Sequence, residues 1–172
     1  SQTWGAGARR PGETFVEVLE ALLAERAGPG RYECVNAGIS GLDAAWLLDI
    51  HRADWLALEP DLVVVNLSNN DEDAGAFAAA LAGFAEVNEA NGVRTLFALE
   101  ANSIGKTPGE LAMHAVMRAV ARERGVPLVD VHAALKRAAG RGFLWWDFVH
   151  PTSFGHRLIA EALAPEVEAL AP

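Results

Sequence analysis

The run LVVVNL at residues 62–67 combines three valines and two leucines with one polar residue. A continuous apolar, β-branched run of this kind is typical of a parallel strand that is covered on both faces. Pro60 and Asp61 precede the run, and the polar stretch SNNDED (68–73) follows it. The sequence therefore predicts one strand of a parallel sheet with a polar loop at its carboxyl end.

Strand and helix patterns alternate along the rest of the chain. Strands are predicted over 31–37, 62–67, 94–100 and 127–131. Helices are predicted over 12–27, 42–58, 73–91, 108–124, 132–139 and from Thr152, with Trp46, Ile50, Ala53 and Ala57 on one face of the second. Alternation of this kind predicts an α/β sandwich around a parallel sheet.

The chain contains no internal repeat or linker, so we expect a single domain over residues 1–172. The pattern opens on a loop and a helix, SQTWGAG being typical of a surface turn. A doubly wound sheet normally begins with a strand, and we therefore expect an N-terminally truncated domain whose first strand precedes Ser1.

Composition excludes several classes of function. Apolar residues make up 51% of the 172 residues, and the longest apolar runs are too short to span a bilayer. The net charge of −9 argues against a nucleic-acid partner, because phosphate binding needs an excess of basic residues. Five scattered histidines without ligand spacing predict no metal site, and Cys34 is expected to be a buried, inert thiol.

Polar stretches follow the predicted strands, where ligands bind in open parallel sheets. They are NAGISG (36–41), SNNDED (68–73) and EANSIGKTPG (100–109), joined by WWDFVHPTSFG (145–155) before the last helix. Asp147 can orient one nitrogen of His150 and leave the other to accept a proton from a hydroxyl. Gly41 and Asn70 can offer N–H groups to an oxyanion. Each residue alone is equally compatible with a turn or a cap.

Together, SQTWG (1–5), NAGISG, SNND (68–71) and DFVHP (147–151) resemble the ordered sequence blocks of the SGNH (GDSL-type) hydrolases. That family carries G-D-S-x-T-x-G, a glycine block, G-x-N-D and D-x-x-H-P in this order. The chain departs from it in having no Gly-Asp before Ser1 and in having Ser68 or Asn69 where the family usually has glycine.

The resemblance implies an ester hydrolase with a three-layer, flavodoxin-like fold and no cofactor. It implies Ser1 as nucleophile, His150 as general base and Asp147 as its orienting partner, with Ser1 N–H, Gly41 N–H and the Asn70 amide as oxyanion hole. The expected partner is a small-molecule, carbohydrate or lipid ester, with short acyl groups favoured. Family members are often extracytoplasmic or periplasmic.

Other interpretations stay open at this point. A chain that begins at Ser1 would carry an ammonium group beside the hydroxyl, as in N-terminal hydrolases. A non-catalytic flavodoxin-like binding module would keep the fold and the pocket without turnover. A nucleotide-binding domain is disfavoured, because no G-x-G-x-x-G or P-loop lysine motif follows a strand.

Some further residues are expected near the substrate. Glu100, Asn102 and Lys106 belong to the long loop after a strand, and Trp4, Trp145 and Trp146 flank the candidate catalytic stretches. Asp130 is predicted to cap a helix. The helical histidines His51, His114 and His156 are predicted at the surface.

Overall fold

The LVVVNL run forms the first strand of a parallel sheet, as predicted. The computed structural model describes residues 1–103 and 111–171. In it, β1 (Leu62–Asn66) pairs with β2 (Arg94–Ala98), and β2 pairs with β3 (Leu128–Val129). Both pairings are parallel, and the strand order is β1-β2-β3. The predicted α/β fold with a parallel sheet is confirmed.

The chain also forms helices. In the described residues they are α1 (Phe15–Ala27), α2 (Ala44–Ala53), α3 (Ala74–Ala90), α4 (Ala112–Arg124), α5 (Val131–Arg137) and α6 (Ser153–Leu170), with short 3-10 helices at Pro11–Glu13 and Trp55–Leu58. The predicted start of the fourth helix at Pro108 and the predicted pocket residue Lys106 lie outside the described residues.

Side-chain caps fix where several helices begin. Asp43 Oδ1 accepts from Trp46 N–H at 3.0 Å, and Asp73 Oδ1 accepts from Ala76 N–H at 2.6 Å. Asp130 caps α5 through Ala133 N–H at 2.8 Å, as predicted. A capping side chain satisfies one of the unpaired N–H groups of the first turn and so fixes the preceding loop.

The predicted strand over 31–37 is wrong. This segment belongs to no β-ladder in the described part of the chain. Cys34 N–H donates instead to Glu20 Oε2 at 2.7 Å, so a side-chain carboxylate takes a donor that a ladder would otherwise use. The composition of this segment was therefore not sufficient to form a strand.

The predicted apolar face of α2 is also wrong. The buried residues are Ala44, Leu47, Leu48 and His51, whereas Trp46 is exposed. Spacings of three and four residues define this stripe, and Trp46 lies off it. The prediction was wrong because it placed the large but exposed Trp46 on the buried face of the helix.

Three helical histidines predicted at the surface, His51, His114 and His156, are buried. Polar partners explain two of them. His51 Nε2 lies 2.6 Å from Asn88 Oδ1, and Phe15 N–H donates to His156 Nδ1 at 3.3 Å. A buried imidazole is tolerated when its nitrogens are hydrogen-bonded, which is a long-range property that helical spacing does not report.

The described residues form two compact units. The first contains residues 1–40, 101–103 and 130–169, and the second contains residues 41–100, 111–129 and 170–171. The second unit holds the sheet, and its core includes Leu47, Phe77, Phe97 and Met117. In this unit α3 packs against α2, α4 and β2. A single domain over residues 1–172 stays a prediction.

None of the helices in the described ranges, 1–103 and 111–171, is both long and apolar enough to cross a membrane.

Candidate active site

Asp147 and His150 form a hydrogen-bonded pair in the loop before α6. His150 Nδ1 lies 2.7 Å from Asp147 Oδ2. The other carboxylate oxygen, Oδ1, accepts from the N–H groups of Val149 and His150, each at 2.8 Å. Three hydrogen bonds therefore hold the Asp147 carboxylate in one orientation toward the imidazole.

The charge of Asp147 determines the tautomer of His150. Desolvation opposes ionisation, but the hydrogen bonds from Val149 and His150 outweigh it and lower the pKa of Asp147 to about 2. An ionised carboxylate can only accept, so Nδ1 of His150 must carry the proton. In the neutral ring Nε2 is then left with a lone pair, as a general base requires.

The DFVHP sequence builds this geometry locally. Trp146 N–H donates to the His150 carbonyl oxygen at 2.9 Å, and Trp145 forms an antiparallel bridge with Pro151. The loop is thus closed on itself around Asp147. The side chains of His150 and Asp147 are 33% and 51% exposed, so the pair is open to a substrate.

Ser1 directly precedes a turn formed by residues 2–7, and a turn is what the sequence predicts for SQTWGAG. Its carbonyl oxygen accepts from Gly5 N–H and Ala6 N–H, both at 3.2 Å. The next residue, Gln2, is buried and donates from Nε2 to the Val149 carbonyl oxygen at 2.7 Å. Gln2, which follows Ser1, is therefore hydrogen-bonded to Val149, which precedes His150.

Gly41 and Asn70 belong to two loops of the second unit that are hydrogen-bonded to each other. Asn70 Nδ2 donates to the carbonyl oxygen of Leu42, the residue after Gly41, at 2.9 Å. Asp71 Oδ1 accepts from Ala44 N–H at 3.0 Å and makes a second bond between the same two loops. Gly41 has a φ of 85°, in the left-handed region that favours glycine.

Glu100 is buried beside the Asn70 loop. Its carboxyl group accepts from Ser68 Oγ at 2.8 Å and from Asn69 N–H at 2.6 Å, both through Oε2. Burial raises the pKa of Glu100, against the opposing effect of these two donors. The predicted pocket role of Glu100 stays a prediction.

Asn102 and the flanking tryptophans occupy the first unit. Asn102 is 1% exposed, and neither its amide oxygen nor its amide nitrogen has a hydrogen-bond partner among the described residues. Trp145 Nε1–H donates to the Ala101 carbonyl oxygen at 2.6 Å. Trp4 and Trp146 are exposed, and their predicted pocket role stays a prediction.

Sequence reasoning missed Gln2 and the hydrogen bonds of Glu100. No local signal indicated Gln2, because its partner Val149 lies 147 residues away. The partners of Glu100 follow from the strand register, since Asn66 pairs with Ala98 and both Ser68 and Glu100 lie two residues beyond that pair. A correct alignment of β1 with β2 would have found them.

The GDSL-like Lipase/Acylhydrolase family model matches residues 1–158. No curated protein sequence matches the chain.

Several solved structures share the fold. The acetyl xylan esterase AlAXEase is 20% identical, with a TM-score of 0.83 over 97% of this chain and 96% of that one. A two-domain esterase (CEX) active on acetylated mannans is 21% identical, with a TM-score of 0.82 over 98% and 46% of the two chains. TesA is 26% identical, with a TM-score of 0.80 over 94% and 91%.

Proposed function

Because the chain belongs to the GDSL-like lipase/acylhydrolase family and is an ester-hydrolysing enzyme, we propose that it cleaves carboxylic esters through a serine acyl-enzyme. The observation that carries this proposal is the Asp147–His150 pair. An ionised Asp147 holds the proton on Nδ1 of His150, at 2.7 Å, and leaves Nε2 as a base. No cofactor is needed for this chemistry.

In the proposed first step, His150 Nε2 removes the proton from Ser1 Oγ, which forms a bond to the ester carbonyl carbon. The carbonyl oxygen becomes an oxyanion, and the donors proposed for it are Ser1 N–H, Gly41 N–H and Asn70 Nδ2–H. The bond to the leaving alcohol then breaks, and His150 gives that oxygen its proton. The result is an acyl group on Ser1 and a free alcohol.

In the proposed second step, His150 removes a proton from water, which attacks the acyl carbon. The oxyanion forms in the same place and collapses, Ser1 Oγ leaves, and His150 returns its proton. A carboxylic acid is released and the enzyme is regenerated. Asp147 stabilises the imidazolium that forms in both steps and remains ionised throughout.

We propose short acyl groups, above all acetyl groups on carbohydrate, as the substrate class, and esters with long acyl chains as the less favoured class. AlAXEase and the mannan-active esterase share the fold, and their names record acetylated polysaccharides as substrates. Exposed Trp4, Trp146 and Phe148 offer aromatic faces of the kind that pack on sugar rings. The amide of buried Asn102, which has no partner in the described part of the chain, suits a substrate hydroxyl or carbonyl group.

The alternative of a non-catalytic binding module is not favoured. It gives no reason for an ionised Asp147 to fix the proton on Nδ1 of a partly exposed His150.

Steady-state assays of the full-length gene product on acetylated xylo-oligosaccharides, p-nitrophenyl acetate and p-nitrophenyl palmitate test the proposal. We expect turnover of both acetyl esters, little turnover of the palmitate, and loss of activity in S1A and H150A. Full activity in a folded S1A variant would exclude Ser1 as nucleophile. Preference for the palmitate would overturn the substrate class alone.

A further inference from the structure

Glu100 is a buried carboxyl group that the proposed mechanism does not use. It is only 4% exposed, and transfer of a carboxylate out of water is costly unless donors compensate for it. Two donors converge on one of its oxygens, Ser68 Oγ at 2.8 Å and Asn69 N–H at 2.6 Å. Both donors belong to the three residues that end in Asn70.

The sheet explains why the three groups meet. Asn66 and Ala98 are the last paired residues of parallel strands β1 and β2. Ser68 and Glu100 each lie two residues beyond that pair, so they occupy equivalent positions after the ends of two adjacent strands. Glu100 thereby joins the carboxyl end of β2 to the loop that follows β1.

Asn70 is held from its other side by the Leu42 carbonyl oxygen, which accepts from Nδ2 at 2.9 Å. A side-chain amide nitrogen carries two hydrogens, so this bond leaves one N–H for a further acceptor. The direction of that second N–H depends on where the backbone of residues 68–70 is placed. Oxyanion donors lose their effect when they are displaced, because their value lies in preorganisation.

We propose that Glu100 is a positioning residue for the oxyanion donor Asn70, acting through Ser68 and the backbone of Asn69. This inference rests on the proposed function, in which Asn70 donates to the oxyanion. Only Oε2 is used by the two donors, so an oxygen acceptor at that position is the requirement. Glutamine satisfies this requirement with nearly the same shape, and alanine does not.

The test measures kcat and KM on p-nitrophenyl acetate, together with the melting temperature, for N70A, E100A, E100Q and the double variant N70A/E100A. E86Q is the matched control, because exposed Glu86 pairs with Arg124 at 2.5 Å on the surface of the same unit. We expect N70A to lower kcat about 10²–10³-fold. We expect E100A to lower kcat at least about tenfold with KM within about threefold, since the oxyanion forms only in the transition state.

E100Q is expected to retain kcat within about threefold, like the E86Q control, because its amide oxygen accepts the same two hydrogen bonds. The double variant is expected to stay within about threefold of N70A, because the effect of Glu100 is exerted through Asn70. A structural role alone would lower the melting temperature of E100A and leave the kcat of its folded fraction unchanged.

The inference is overturned if folded E100A keeps full kcat, or if the losses in N70A and E100A multiply in the double variant. If E100A fails to fold, S68A replaces it and is compared with N70A and N70A/S68A. The inference is then overturned equally if the losses in N70A and S68A multiply in N70A/S68A. Full activity of N70A contradicts the proposed oxyanion hole itself, so the two failures are distinguished.

Discussion

Gln2 donates a hydrogen bond from Nε2 to the carbonyl oxygen of Val149 at 2.7 Å, and its Oε1 accepts from Ala101 N–H at 3.1 Å. Gln2 follows the proposed nucleophile, and Val149 precedes the proposed base. One buried amide therefore joins the two segments that supply the proposed reacting side chains.

Replacing Gln2 with alanine removes both hydrogen bonds and leaves the Val149 carbonyl and the Ala101 N–H without them. We expect Q2A to lower stability by about 1–3 kcal/mol, the usual cost of leaving a buried polar group unpaired. We expect kcat to fall while KM changes little, because the alignment of Ser1 with His150 is affected. Denaturant unfolding and steady-state kinetics of Q2A, with W46A at an exposed position as control, check both effects. Wild-type kcat in Q2A would exclude this role.

Asp147→Asn keeps the shape of the side chain in the loop before α6 and removes its negative charge. The asparagine oxygen can still accept from Val149 and His150 N–H, but its amide would present a donor to Nδ1. His150 would then carry its proton on Nε2, where a base needs a lone pair. We expect D147N to lower kcat about a hundredfold or more with the melting temperature nearly unchanged. D49N, on an exposed surface pair with Arg52, is the control; D147N within about threefold of that control would contradict the assignment.

The hydrogen bonds to Asp147 also predict a pH effect. Its pKa is lowered from 3.8 to about 2. The folded state therefore gains stability from ionised Asp147 above the unfolded value, and this contribution is lost as pH falls through about 2. A carboxyl ¹³C titration by NMR should show a midpoint near 2 for Asp147 and a higher midpoint in H150A. An unshifted midpoint near 4 in the wild type would contradict the hydrogen-bond network.

Cys34 is expected to be chemically inert. Burial, with a smaller contribution from the Glu20 carboxylate, raises the pKa of its thiol from 9.0 to about 11. The reactive thiolate is therefore scarce at neutral pH. We expect slow alkylation by iodoacetamide at pH 7.5 with no loss of esterase activity, and faster alkylation in E20Q. Rapid alkylation that abolishes activity would contradict both the shift and the assignment to a serine mechanism.

Local patterns were sufficient where local forces decide the structure. The apolar run at 62–67 formed β1, Asp130 capped α5, and the spacing of Asp147 and His150 allowed one loop to bring the two side chains together. In the last two cases the partners lie three residues apart, so spacing alone carries the information.

Long-range pairing decided the features that sequence reasoning missed. Residues 31–37 have strand-like composition, but Cys34 N–H bonds to a helical carboxylate. His51 is stabilised inside by Asn88, 37 residues away. The Glu100 contacts with Ser68 and Asn69 depend on the register of two strands. None of these partners is encoded in a single local window.

The central claim is that His150 activates Ser1 for attack on an ester, and fluorophosphonate labelling of the full-length gene product tests it most directly. Intact mass spectrometry with peptide mapping should find one adduct, located on Ser1, and labelling should be strongly reduced in H150A. An active esterase that gives no adduct, or an adduct on another residue, would contradict the claim.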